Sequence, residues 1–305
     1  MFAWSVSELA KKIKKLHIRS LIQGIFALVS NGWLPGYFRG RIFTGATKNF
    51  CLPGLNCYSC PGSFGACPIG ALQATLNSAE YKIALYVSGF LIAAGAALGR
   101  FICGFLCPFG WMQELLHRIP FPKKLKKLPG EKFLRLLKYL MLAVFVILLP
   151  LFFIDITGLG KPWFCAYICP AGTLEAGIPL VLASAPLREA IGFLYAWKLL
   201  ILAIILFLSL ILWRPFCRYL CPLGAIYGFF NPVALFRFRI NRNQCTSCGA
   251  CEKACPMGLP VSQKPNGMEC VRCGKCRDAC PQNAIELVAP GVKRRPSKNR
   301  CDEAR

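Results

Sequence analysis

Long apolar runs alternate along the chain with short, strongly basic segments. Four runs approach the ~20 residues that a helix needs to cross a bilayer; they lie at residues 21–38, 82–98, 139–156 and 191–213. A shorter run at 176–185 fits an interfacial or re-entrant segment. The first run follows the KKIKK stretch at 11–15 and lacks a small-residue cleavage site, so an uncleaved anchor is expected. Beyond residue 235 the apolar runs stop and closely spaced cysteines take over. The pattern predicts an all-α integral membrane bundle of four transmembrane helices over 1–235. A small α+β domain over 236–289 and a basic tail over 290–305 follow.

Composition agrees. Of 305 residues, 55% are hydrophobic and 16% charged, too apolar for a soluble chain of this length. Lys and Arg number 37 against 13 Asp and Glu, and they flank the apolar runs, which is the membrane pattern rather than the nucleic-acid one. With Lys82 assigned to the first loop and Lys198 to the third, the Lys+Arg counts of the N-terminus, the three loops and the C-terminal region are 5, 4, 9, 3 and 16. By the positive-inside rule both termini and the loop after the second run face the cytoplasm, and the first and third loops face out.

Nineteen cysteines then supply the chemistry. Cys245, Cys248, Cys251 and Cys255 precede Pro256, and Cys270, Cys273, Cys276 and Cys280 precede Pro281, with the same spacing. This is the bacterial run for two four-iron clusters, in which the fourth cysteine of each run serves the other cluster. One [4Fe-4S] cluster is therefore expected on Cys245, Cys248, Cys251 and Cys280, the other on Cys270, Cys273, Cys276 and Cys255. Zinc knuckles seldom show two complete four-cysteine runs ending in Cys-Pro. Residues 241–287 resemble the dicluster ferredoxins at every ligand position.

A second pattern recurs in the apolar part. CGFLCPFG (103–110), CAYICPAG (165–172) and CRYLCPLG (217–224) all read Cys-x-aromatic-aliphatic-Cys-Pro-x-Gly. SFGACPIG (63–70) is a worn fourth copy, with Ser63 at the first cysteine position. Outer and inner copies alternate, and Cys67 to Cys169 (102 residues) nearly matches Cys107 to Cys221 (114 residues). Two tandem two-span units are predicted. A cysteine before proline is biased out of the helical region, and proline is welcome at a helix's first turn. Each copy thus predicts a bent ligand loop whose following helix offers free N–H groups to an anionic cluster. The inner copies supply four thiols, Cys103, Cys107, Cys217 and Cys221, for a third [4Fe-4S] cluster.

Six cysteines face out: Cys51, Cys57, Cys60, Cys67, Cys165 and Cys169. Disulfides persist on that side, so three bridges, or one bridge with a metal, satisfy them. The repeat instead assigns Cys67, Cys165 and Cys169 to a fourth cluster, with Cys57 or Cys60 in place of the ligand missing at Ser63. A third arrangement groups Cys51, Cys57, Cys60 and Cys67, leaving Cys165 and Cys169 as a dithiol or disulfide.

The octapeptides and the dicluster run together resemble the NapH/MauN-type family of four-span membrane ferredoxins, related to the membrane part of NosR and to CcoG. The resemblance covers about residue 81 to the end of the dicluster run. It implies an electron-transfer protein of a prokaryotic cytoplasmic membrane, with a cytoplasmic ferredoxin-type or quinol donor and a membrane or extracytoplasmic redox partner. It equally allows a maturation factor, a thiol or metal reductase for an extracytoplasmic metalloenzyme. The crowded outer cysteines are not common to the better-known members. No catalytic residue set or nucleotide-binding motif appears, and His17 and His117 both lie near the inner surface. Cys301 is the odd cysteine of the tail.

Overall fold

A computed structural model describes the backbone of residues 6–77, 85–153 and 160–289, and side chains from residue 18 onward. The KKIKK side chains, His17, Lys82, Asp155 and the tail with Cys301 lie outside the described residues.

Two described helices are long and apolar enough to span a membrane, Glu131–Phe152 and Phe193–Ile211. Their apolar side chains point outward: Phe133 is 78% exposed, Phe152 72% and Phe193 85%. A buried core helix hides such residues, so these two carry an exposed apolar face of the kind a membrane would cover. Among the described residues the other two predicted spans are shorter. The apolar part of the helix Val6–Ser30 is Ile18–Ser30, and Leu85–Leu98 has 14 residues, or about 21 Å at ~1.5 Å per residue. The run read as 21–38 breaks at Ser30, and a separate helix, Leu34–Arg39, follows. Pro35 in its first turn and Gly32, whose Cβ would strike the Leu28 carbonyl, explain the break. The patch at 176–185 forms the end of the apolar helix Pro170–Ala183.

Two stretches widen to π geometry, Met141–Leu148 and Thr173–Gly177. Each stands just before a proline, Pro150 and Pro179. A proline lacks an N–H and crowds the carbonyl four residues back, which the wider turn relieves.

All four Cys-Pro copies bend as their sequence predicts. Helices begin at Pro68, Pro108, Pro170 and Pro222, and the cysteine before each is extended, with ψ between 107° and 126°.

The C-terminal part pairs strand β1 (Arg237–Ile240) antiparallel with β2 (Ile285–Val288), Arg237 opposite Val288. Two short helices, Ala250–Ala254 and Lys275–Asp278, lie between them. Left-handed residues recur at matching places in the two cysteine runs: Ser247 and Arg272, Gly249 and Gly274, Gly258 and Asn283. This backbone duplication is an internal repeat.

The two parts are clamped together. Arg272, 1% exposed, donates to the carbonyls of Leu98, Phe236 and Asn231. The fully buried Asn231 amide donates to the carbonyls of Gly267 and Cys270, each at 2.8 Å, and accepts the Arg100 N–H. Glu269 receives Arg100, Lys138 and the Tyr139 hydroxyl. Burial alone would raise the Glu269 carboxyl, but Arg100 and Lys138 outweigh it and hold the acid below its ordinary range.

Candidate metal centres

In the C-terminal part the thiols gather as two separate groups. One cavity is lined by Cys245, Cys248, Cys251 and Cys280, the other by Cys255, Cys270, Cys273 and Cys276. Each therefore takes three cysteines from one run and the last from the other. The first lies at the surface, where Cys248 is exposed. The Ala250 N–H and then the Thr246 hydroxyl favour the thiolate and hold Cys248 below its usual range. The cysteines of the second are more buried, and burial pushes the Cys270 thiol up to about 12. Such a thiol is a ligand only when a metal displaces its proton. This more buried group is also the one docked on the apolar helical part: Gly104, between Cys103 and Cys107, has no room for a Cβ beside the Val271 carbonyl.

The inner copies bring together Cys103, Cys107, Cys217 and Cys221, each 4–6% exposed and all within electrostatic reach of Cys221. The third residue after the second cysteine donates its N–H back to the sulfur: Gly110 to Cys107 at 3.3 Å and Gly224 to Cys221 at 3.4 Å. Gln113 adds two contacts, accepting the Phe216 N–H at 3.1 Å and donating to the Cys217 sulfur at 3.4 Å. Two arginines cross between copies. Arg100 donates to the Cys217 carbonyl at 3.0 Å, and Arg214 donates to the Cys103 carbonyl. Both are fully buried, and each has a carboxylate, Glu269 for Arg100 and Glu114 for Arg214 (2.7 Å). A fixed buried positive charge suits an anionic cluster.

On the other side, Cys57, Cys67, Cys165 and Cys169 stand within electrostatic reach of one another. Cys51 has only Cys67 as a thiol neighbour, and Cys60 bonds the Tyr37 hydroxyl at 3.2 Å. Ser63 is fully buried but turned away, receiving the Asn56 amide and donating to the Gly65 carbonyl. Every described cysteine is a free thiol. The two sides also touch. A Cβ on Gly54 would lie 3.1 Å from Cys107 Cα, and the buried Tyr227 hydroxyl donates to the Pro53 carbonyl at 2.9 Å.

The cysteine spacing alone does not reveal the arginines and the glutamine. Their signal is in the sequence: arginine stands three residues before the first inner cysteine in both RFIC and RPFC, and glutamine six residues after the second in CPIGALQ and CPFGWMQ.

Among the described residues no three His, Cys, Asp or Glu side chains converge on one point, as a mononuclear ion requires. A cubane takes its thiolates at separate corners, and four-thiol groups ringed by backbone N–H donors fit it. The arrangement defines an iron–sulfur protein of ferredoxin type, with cysteine sets both in a dicluster fold and within an apolar helical part.

Comparison with known proteins agrees. The 4Fe-4S binding domain family matches residues 83–129, 142–178 and 195–243, and the 4Fe-4S dicluster domain family matches residues 244–285. MJ0750 of Methanocaldococcus jannaschii is 30% identical over 208 residues, 66% of this chain and 77% of that protein. YccM of Escherichia coli is 27% identical over 200 residues, 62% of this chain and 50% of YccM. The methylamine utilization ferredoxin-type protein MauN of Paracoccus denitrificans is 28% identical over 177 residues, 57% of this chain and 53% of MauN. The chain spans about half the length of these last two relatives. No solved structure matches. The chain belongs to the membrane ferredoxin-type iron–sulfur family.

Proposed function

We propose that this protein is a membrane-embedded relay for single electrons, joining a cytoplasmic ferredoxin-type or quinol donor to a redox partner in or across the membrane. Four crossings with cytoplasmic termini remain our reading of the topology, the two short apolar helices being continued by neighbouring segments. The order of sites is surface set (Cys245, Cys248, Cys251, Cys280), docked set (Cys255, Cys270, Cys273, Cys276), then inner membrane set (Cys103, Cys107, Cys217, Cys221). Bound [4Fe-4S] clusters would supply one-electron redox chemistry at each.

The observation that carries this reading is the fixed contact between the docked set and the inner set. Arg272, Asn231 and Arg100 hold the Cys270 loop against the inner copies, so no domain swing is needed. Arg100 and Arg214 place positive charge beside the inner thiolates, favouring thiolate over thiol and compensating the added electron. The inner and outer loops are in contact through Gly54 and Leu106 rather than separated by the ~30 Å hydrocarbon core. Three extended residues cover at most ~11 Å, so Cys57 lies a short stretch of chain from Cys107.

A maturation factor working by thiol exchange needs an accessible outer thiol. Four of the six outer cysteines, Cys51, Cys60, Cys67 and Cys169, are buried, which leaves thiol exchange only the partly exposed Cys57 and Cys165 and favours the relay. The test is iron content and stepwise reduction of the anaerobically purified full chain. A Cys103→Ala/Cys217→Ala variant should lose about four irons and leave the dicluster signals intact; unchanged iron overturns the inner site. In the unaltered chain, an inner cluster that stays oxidised after the dicluster domain is reduced overturns the relay.

A further inference from the structure

We infer that Cys57, Cys67, Cys165 and Cys169 form a fourth four-iron site, built as a duplicate of the inner one, and that Cys51 and Cys60 take no part in it. The inference rests on the iron–sulfur reading above. Three matched contacts carry it.

The first is the glutamine six residues after the second cysteine. Gln73 accepts the Phe164 N–H at 3.0 Å and donates to the Cys165 sulfur at 3.2 Å. Gln113 does the same to Phe216 and Cys217. In both sites one amide therefore fixes the residue before the partner copy's first cysteine and bonds that cysteine's sulfur. The relation between Cys67 and Cys165 is the relation between Cys107 and Cys217.

The second contact decides between Cys57 and Cys60. A Cβ on Gly70, at the end of the Cys67 copy, would lie 4.0 Å from the Cys165 sulfur. On Gly172, at the end of the Cys169 copy, it would lie 3.6 Å from the Cys57 sulfur. Cys57 thus stands to the Cys169 copy as Cys165 stands to the Cys67 copy. It fills the first-cysteine place from a different point in the chain. Cys60 instead faces Tyr37.

The third is the residue six places after Cys169. Glu175 accepts the Cys57 N–H at 2.7 Å, so it too grips the partner's first-cysteine segment. The donors around the sulfurs are complete in kind: Gly172 donates to Cys169 at 3.4 Å, and the N–H groups of Gly70, Ile69 and Asn56 serve Cys67. Such donors stabilise thiolates and an anionic cluster.

The test uses the full chain purified anaerobically, read by iron and acid-labile sulfide and by the electron paramagnetic resonance of each cluster. Cys57→Ser and Cys165→Ser should each lose about four irons and one cluster signal, with the dicluster and inner signals kept. Cys51→Ser and Cys60→Ser should keep all the iron. Equal iron loss in Cys60→Ser, or none in Cys57→Ser, overturns the assignment. Gln73→Leu gives a second reading that does not depend on folding without a ligand: all the iron stays and the midpoint potential of one cluster falls. An unmoved set of potentials in Gln73→Leu also overturns the matched-site inference. Failure of the inner site would appear in the Cys103→Ala/Cys217→Ala variant, so the two outcomes are distinguishable.

Discussion

The inner and outer cysteine groups share a scaffold but differ in charge. The inner site has buried arginines three residues before each first cysteine, Arg100 and Arg214, crossing to the opposite carbonyls. The matching places before Cys57 and Cys165 are Gly54 and Pro162. There, a single lysine takes one of the two carbonyls, Lys198 donating to Cys165 at 3.1 Å, and a carboxyl, Glu175, sits against Cys57. Positive charge stabilises the reduced, more anionic cluster. With ligand geometry held alike, the two arginines so close to the inner thiols lead us to expect the higher potential at the inner site.

The largest expected break of this comparison is Arg214→Met. It strips the inner site of one cation and leaves Glu114 with a changed partner set, costing on the order of 3 kcal/mol of stability. Thermal unfolding should fall markedly, and redox titration should show the inner potential moving toward the outer one. Glu269→Gln comes next. It leaves Lys138 and Arg100 buried without their carboxylate, at a cost of roughly 3 kcal/mol. Limited proteolysis should then release the dicluster domain, which the unaltered chain retains. Gln113→Leu sharpens the comparison, because it removes one N–H donor to a thiolate and keeps the arginines. A loss of ~1.4 kcal/mol in the reduced state is a drop of about 60 mV in a one-electron couple, measurable with iron content unchanged. Tyr227→Phe has the smallest effect, about 1 kcal/mol for one hydrogen bond to Pro53. It should lower the thermal unfolding midpoint slightly and leave the iron content unchanged.

Legibility in the sequence followed the range of each interaction. The crossed dicluster groups were readable because their ligands follow one local spacing, and the two cavities collect the cysteines that spacing names. Spacing does not choose between Cys57 and Cys60. The repeat aligns Ser63 with the missing place, but Ser63 turns into its own loop, and what brings the Cys57 sulfur beside Gly172 is the fold of residues 51–66, which no spacing encodes. Hydropathy extends the first span too far because it is blind to the break at Gly32 and Pro35. Arg100 and Arg214 read in the sequence only as loop charge. Their reach across more than a hundred residues to the other copy belongs to packing.

The reciprocal arginine contacts also bear on how the protein is made. Cys103 and Cys107 are synthesised more than a hundred residues before Cys217 and Cys221, and Arg214, which closes over the Cys103 carbonyl, belongs to that later segment. A chain that ends before Arg214 presents neither all four inner thiols nor both arginines. If this set holds a cluster, loading is expected only after the segment from Arg214 to Cys221 has been made, and a chain cut short of it is expected to hold no iron there.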